Sequence, residues 1–263
     1  MSISPSARVA SSSLIEPGAI IGARVSIGPF CIIAAGVEIG DDTVIASHVS
    51  INGLTCIGCN NVIGQFSTIG EVNQDLKYAG EATDVIIGDR NRIGKNATIH
   101  RGTAQGYRRT TIGNDNLFLN NVHIGHDCIV GNTTVIGDNS GLAGHVELDD
   151  FVQIGNICAI HQFCLLGAHA HIAHQSGVVQ DVPPFVSASG NRAAPIGVNE
   201  SAAAFQALDD RQQQVIQALY NMLYHNALAI DEVKLEAQRL SEIYPLLQWF
   251  TSFFSRSARG IIR

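Results

Sequence analysis

The sequence predicts an all-β fold built by repetition, a chain wound into a triangular prism with three short strands to a coil, closed by a small α-helical domain. Three observations point there. An apolar residue returns at every sixth position from Val9 to Val178, two interruptions break the series without ending it, and the pattern turns helical after Pro195. A six-residue period fits neither a 3.6-residue helix nor a strand paired with its sequence neighbour. It fits three hexads per coil, each coil hydrogen-bonded to the next and none able to bury a core alone.

The elements follow in order. Val9 opens the series, Ile15 to Ile69 share one register, and Ile87, Ile93 and Ile99 resume it; Ile112 to Val178 complete 26 hexads after a one-residue phase shift. The first residue of each hexad should point inward, and the small residue after it should sit where the chain bends. Residues 75–86 form a 12-residue break that keeps phase, so this loop should leave one corner and return to it. Residues 105–111 form a seven-residue break that shifts phase by one. Loops on a rigid scaffold often carry function. The repeats should end near Asp181-Val182-Pro183-Pro184, because paired prolines cannot continue a strand ladder. Helices are then expected over 210–226 and 231–244. Pro245 opens a third, with Leu246, Leu247, Trp249, Phe250 and Phe253 as its apolar residues. The division is residues 1–190 for the prism and 191–263 for the helical domain, which must pack on the prism or on a neighbouring subunit.

Composition narrows the function. The chain of 263 residues is 46% hydrophobic and 15% charged, which suits one long stacked core. It has no run of 18 apolar residues and so no integral membrane segment is expected. Its first residues lack the basic and apolar regions of a secretory signal, so a cytoplasmic location is expected. A net charge of −7 argues against nucleic acid as a partner. One stretch runs the other way: Arg90, Arg92, Lys95, Arg101, Arg108 and Arg109 against Asp84 and Asp89, six minus two or +4. This is either a solvated face or a landing patch for an anionic partner. Cys31, Cys128, Cys158 and Cys164 all occupy the fifth hexad position and read as small buried fillers. Cys56 and Cys59 have CxxC spacing without a second pair, so neither metal nor redox chemistry is expected of them.

The ten histidines carry more. His126 and His145 lie 19 residues apart, about one 18-residue coil, and His161 follows 16 further on. His126, Gly144 and Gln162 all hold the third hexad position and should form a column at ~4.8 Å spacing along one edge, with His123 just before the His126 corner. Asp127 follows His126 directly; a carboxylate on one ring nitrogen would fix the tautomer and raise the basicity of the other. His169, His171 and His174 hold positions four, six and three, so they do not converge, and no metal is expected there.

Several stretches are more specific than the period: Gly70-Glu71-Val72-Asn73-Gln74-Asp75-Leu76-Lys77-Tyr78, Ile99-His100-Arg101-Gly102-Thr103, and Asn121-Val122-His123-Ile124-Gly125-His126-Asp127-Cys128. With Ala143-Gly144-His145-Val146, His161-Gln162-Phe163, Gln180-Asp181-Val182-Pro183-Pro184 and the ending Arg259-Gly260-Ile261-Ile262-Arg263, they resemble the bacterial acyl-carrier-protein-dependent UDP-N-acetylglucosamine O-acyltransferases, which begin lipid A synthesis. The resemblance covers nearly the whole chain. It implies a left-handed parallel β-helix, a homotrimer with active sites between subunits, and no cofactor. It makes His126 the general base toward the sugar 3-hydroxyl, oriented by Asp127, with the Gly144 amide on the thioester oxygen. Gln74, Asp75, Lys77, His123, His145, His161 and Gln162 match positions around the nucleotide-sugar substrate and the acyl chain. The basic stretch would meet acyl carrier protein, which is strongly acidic.

Two departures follow. The family's basic run after its Gly-x-Asn is replaced here by Glu200-Ser201-Ala202-Ala203-Ala204-Phe205-Gln206, with no basic residue until Arg211. Arg192 and Asn199 are left as the local contacts to the nucleotide, and another sugar-nucleotide or amine acceptor becomes an alternative. Where long-chain members have a Gly-Gly pair, this chain has Ala173-His174. With His171 beside it, this bulk should stop the acyl groove early and favour a medium chain, roughly 13 Å along the axis from His126.

Overall fold

The computed structural model describes residues 2–226 and 228–263. Most hexads contribute a strand of two residues, such as Ile20–Ile21 or Val44–Ile45, too short to be stable alone. Each pairs in parallel with the strand one coil on, Ile21 with Ile39 and Ile45 with Ile63. The result is three sheets of nine, eleven and nine strands, the first, second and third faces of a left-handed parallel β-helix. The hexad leaders line its axis; Ile33, Ile51, Ile69, Ile99, Ile124, Leu142 and Ile160 are all at most 2% exposed. Only the first coil, with Ile3, Val9 and Ile15, is partly open, because no coil lies beneath it.

From Gly18 on, most corners turn through a residue in the left-handed region, and most of these are not glycine: Asp42 at φ 58°, His145 at 62° and Phe163 at 64°. Stacking between coils holds them in a conformation that costs roughly 1–2 kcal/mol per residue. The fifth hexad position sits inside the corner. Cys31, Cys128, Cys158 and Cys164 fill it and are buried, and all six thiols are free. The Cys128 thiol donates to the Ala143 carbonyl, and burial pushes it up to about 12, which leaves it unreactive. Asn61, Asn91, Asn116 and Thr134 fill the same position elsewhere as a buried ladder, each carboxamide oxygen accepting the next backbone amide at 2.8–3.0 Å.

Both loops leave the prism where expected in phase but earlier in sequence. Leu54–Ile57, Asp84–Ile87 and Arg109–Ile112 are four-residue strands paired along their length, and this extra pairing moves the excursions to residues 72–83 and 101–108. Arg101 Nε donates to the Gly70 carbonyl at 2.9 Å. Its guanidinium lies over Gly53, where a Cβ would come within 2.7 Å of it, so a larger residue at that turn would displace the Arg101 side chain.

The paired prolines do not end the ladder. Val182 and Phe185, flanking them, still donate to the coil below, so the corner loses only amides it had no need of. Val186–Ser189 then adds to the second sheet beside His171–Ile172, and Ala194–Val198, holding Pro195, turns back antiparallel on it. The expected boundary between 190 and 191 therefore falls inside a hairpin, and the helices begin only at α1 (Ala203–Gln206). The main helices match their expected places: α2 is Asp210–Tyr224, α3 Ile230–Ser241, and a short 3-10 turn at Pro245–Leu247 leads into α4, Gln248–Arg256. Asp209 caps α2 in a reciprocal box with Gln212.

The helices bury a second apolar cluster, with Ile216, Leu219, Leu223, Val233, Phe250 and Phe253 in it, and Leu165 and Phe185 join it from the prism. His169 is stacked between Phe151 and Phe185 at 4.6 and 4.7 Å, with Trp249 edge-on at 4.8 Å. Asp181, fully buried, accepts at one oxygen from Leu165 N and at the other from Ser257 Oγ and the amides of Ala258 and Arg259, stapling the tail after α4 to the last coil.

Candidate active site

The column predicted by the 18-residue coil is present. His123, Gly141 and Ala159 are in register on the third sheet, and the corner after them stacks His126, Gly144 and Gln162. His126 lies against Gly144 so closely that a Cβ there would sit 2.5 Å from Cε1 and Nε2 of the imidazole. Third-position amides elsewhere donate to a side chain one coil on, as Asn132 N does to Asp150 Oδ1 at 2.7 Å. The Gly144 amide has no such acceptor among the described residues, because Gln162 turns into the cleft instead.

Asp127 is wholly buried behind His126. The His126 Nδ1–H donates to Asp127 Oδ2 at 2.8 Å, which leaves Nε2 as the free ring nitrogen facing the cleft. Burial pushes the Asp127 carboxyl up, but the bonds from His126 and Thr103 and the field of His145 outweigh it and hold it below the usual carboxylate range. His145, in a left-handed corner one coil on, stands edge-on to His126 at 5.1 Å and stacks on Phe163 at 4.5 Å. Burial lowers its pKa, Asp127 opposing and His126 assisting. His123 is lowered too, by burial first and then by His100 and His126. Both stay neutral near pH 7, leaving one imidazole–carboxylate pair rather than a cluster of cations.

These groups line a cleft of about 920 Å³ on the third sheet. The loop 72–83 brings Gln74, Asp75 and Lys77 to it, and the loop 101–108 brings Thr103 and Gln105. Sequence reasoning named His126, Asp127, Gly144, His123, His145 and Gln162 for one site, and the fold brings them together. It did not single out Thr103, Thr110 or Phe163, although the place of Thr103 and Phe163 in the quoted motifs was a signal. Thr110 Oγ1 accepts the Asp127 amide at 3.0 Å.

Other expected residues lie elsewhere. His161 is exposed at the same corner, its Nδ1 against the Gln162 carbonyl at 3.2 Å, and does not line the cleft. Asn199 is 2% exposed, its amide nitrogen donating to the His169 carbonyl and its oxygen accepting from Ser201 Oγ, so within a single chain it clamps a corner. Arg192 is exposed at the tip of the 186–198 hairpin, away from the cleft of a single chain. His171 stands on the second sheet, not the third. His174 occupies the corner between those two sheets, its Nδ1 accepting the Asn156 amide at 2.8 Å. In the basic stretch, Arg90 is paired with Asp115 and Arg109 with Asp84, which leaves Arg92, Lys95 and Arg108 as its exposed cations without a carboxylate partner among the described residues, Arg108 donating to the Ala82 carbonyl. Among the described residues, metal-ligand spacing occurs at His126, Asp127 and His145. Asp127 is enclosed and already accepts from His126 and Thr103, so its carboxylate offers no open side to an ion.

A parallel β-helix of hexads with an imidazole–carboxylate pair in a lateral cleft defines the class of hexapeptide-repeat transferases, and the bacterial transferase hexapeptide model matches residues 18–53 and 109–144. The model of UDP-N-acetylglucosamine O-acyltransferase domain 2 matches residues 181–262. Among solved structures, LpxA from Acinetobacter baumannii is 38% identical, covering 97% of this chain and 99% of its own, with a TM-score of 0.93. The UDP-N-acetylglucosamine O-acyltransferase (LpxA) from Moraxella catarrhalis is 40% identical over 100% of both chains, with a TM-score of 0.87. The UDP-N-acetylglucosamine acyltransferase from Francisella novicida is 36% identical, covering 99% and 94%, with a TM-score of 0.87. The chain belongs to the UDP-N-acetylglucosamine O-acyltransferase family.

Proposed function

We propose that this protein moves a 3-hydroxyacyl chain from acyl carrier protein to the 3-hydroxyl of UDP-N-acetylglucosamine, the first step of lipid A synthesis, working in the cytoplasm as a homotrimer without a cofactor. The observation that carries the reading is His126, bonded through Nδ1 to a buried carboxylate and lying with Nε2 against the Gly144 corner of the cleft. Nε2 takes the hydroxyl proton as the sugar oxygen bonds to the thioester carbon. The oxyanion so formed meets the Gly144 amide, the C–S bond breaks, and the proton passes from His126 to the departing sulfur. A thioester is activated already, so no acyl-enzyme is required.

On the third sheet next to His126, Gly141 and Ala159 leave a smooth track for an acyl chain, and the Asn191 carboxamide covers Gly177 at its far end. His174 guards the corner entering Gly177, so we assign it the stop that favours a medium chain. Asp75 and Lys77 hold polar parts of the substrates from above. Arg92 and Lys95 are the cations offered to acyl carrier protein. A trimer is supported by apolar side chains that a single chain leaves uncovered, namely Leu76 at the tip of the first loop, fully exposed, and the stack of Phe30, His48 and Phe66 at 5.0 Å spacings. Among the described residues, no helix is long and apolar enough to cross a membrane.

A second reading keeps the donor and changes the acceptor to another amino-sugar nucleotide or an amine. It is favoured by the lack of any Lys or Arg between Arg192 and Arg211. Mass spectrometry of products from 3-hydroxyacyl carrier proteins of graded length, each with a panel of acceptors, decides. Acylated UDP-N-acetylglucosamine, formed fastest from medium chains, is expected, with His174→Gly shifting the optimum to longer ones. Turnover of another acceptor alone would establish the second reading, and an unchanged length profile in His174→Gly would remove the stop from that residue.

A further inference from the structure

The side of Asp127 turned away from His126 is occupied by a single residue of the loop 101–108. Thr103 is 1% exposed. Its backbone amide donates to both Asp127 oxygens, at 3.1 and 2.9 Å, and its hydroxyl donates to Oδ2 at 2.7 Å. Oδ2 is also the oxygen that receives His126 Nδ1–H. The loop is shaped for this contact: the Gly106 amide donates to Thr103 Oγ1 at 3.1 Å, and a Cβ at Gly106 would come within 2.4 Å of the Asp127 carboxylate. With its lone pair used by Gly106 and its proton by Asp127, the hydroxyl has one orientation.

We infer that Thr103 is a positioning residue for the His126–Asp127 pair, its hydroxyl setting both the orientation of the carboxylate and the strength with which Oδ2 holds the imidazole. The inference rests on the reading of His126 as general base. Three donors, the Thr103 amide, the Thr103 hydroxyl and His126 Nδ1–H, share the charge of Oδ2. Removing the hydroxyl leaves the carboxylate a stronger acceptor for Nδ1–H, stabilises the imidazolium, and raises the pH at which His126 loses its proton. It also frees the carboxylate to rotate, so the base presents Nε2 less often to the cleft. The other ionisable groups facing the pair are His145 from the next coil, His123 with His100 behind it, Asp75 and Lys77 from the first loop, and Tyr107 from the same loop as Thr103. All are unaltered in the comparison of Thr103 variants.

The test is kcat/KM against pH for wild type, Thr103→Val, Thr103→Ser and His126→Ala, with thermal melting to check each fold. Thr103→Val should lose about 10- to 100-fold in kcat with KM little changed, the range set by one hydrogen bond to a charged group, and its acid limb should move up. Thr103→Ser should restore both. An acid limb that stays in place in Thr103→Val, or a serine variant as impaired as the valine, would overturn the inference. An active His126→Ala would instead remove the general-base reading itself, whatever Thr103 does.

Discussion

At the scale of single residues, the site depends on three side chains and one missing side chain. His126→Ala should leave the fold and its melting temperature intact while transfer falls on the order of 100- to 10,000-fold, the contribution of a general base; steady-state assay and thermal melting check both halves. Gly144→Ala tests the missing side chain. Its Cβ would sit 2.5 Å from the His126 ring, which must swing away. We expect a loss comparable to His126→Ala in kcat with the β-helix still formed, and near-normal kcat would show that the ring has another productive place. The pairing of His126 with Asp127 was legible because the two are adjacent in sequence. The bonds from Thr103 were not, since that residue lies 24 positions away across a loop whose path no period describes.

At the scale of elements, the tail after α4 is held by one carboxylate. Asp181→Asn would replace an acceptor facing Ser257, Ala258 and Arg259 by a donor, or turn that donor against Leu165 N. Leaving such buried groups unpaired should cost about 2–3 kcal/mol. Urea titration reads the loss, and tryptic cleavage after Arg256 or Arg259 should become faster because the tail is released first. Unchanged stability would mean that the backbone pairing of Asp181 with Gly260 and Ile262 and the apolar contacts of Ile262 suffice to hold the tail. The motif Asp181-Val182-Pro183-Pro184 reads in sequence as the end of the repeats, whereas in the fold it is a corner through which the second sheet continues.

At the scale of the whole molecule, the helices close the prism over a neutral histidine. Burial among Phe151, Phe185 and Trp249 pushes His169 down to about 4, and its Nε2 is buried with no partner among the described residues. In the unfolded chain it titrates near 6.5. Below that pH the unfolded state takes a proton the folded state refuses, so stability is complete above pH ~6.5 and falls as pH drops toward 4, by at most about 3 kcal/mol. His169→Phe should remove this dependence. The replacement is compatible with the backbone, since Phe151 and Phe185 already occupy the same left-handed corner at φ 64° and 58°. Melting temperatures of both proteins at pH 7 and pH 5 provide the measurement. A drop in the variant equal to that in the wild type would place the acid sensitivity elsewhere.

The hexad period by itself determined the prism, the inward column, the two loops and the stack of His126, Gly144 and Gln162. Side chains separated by one coil must be neighbours when every strand pairs with the one 18 residues on, so counting is enough. Helical spacing likewise determined α2, α3 and α4. What counting cannot supply is decided where the chain leaves the repeat or where a side chain chooses between bonds. Only the tertiary structure showed that Thr103 encloses Asp127, that Asn199 turns inward to His169, that His171 and His174 stand on a sheet and a corner apart from His126, and that Arg90 and Arg109 of the basic stretch are paired with aspartates. Those outcomes depend on loop paths and on competition among hydrogen-bond partners, which are long-range and have no period.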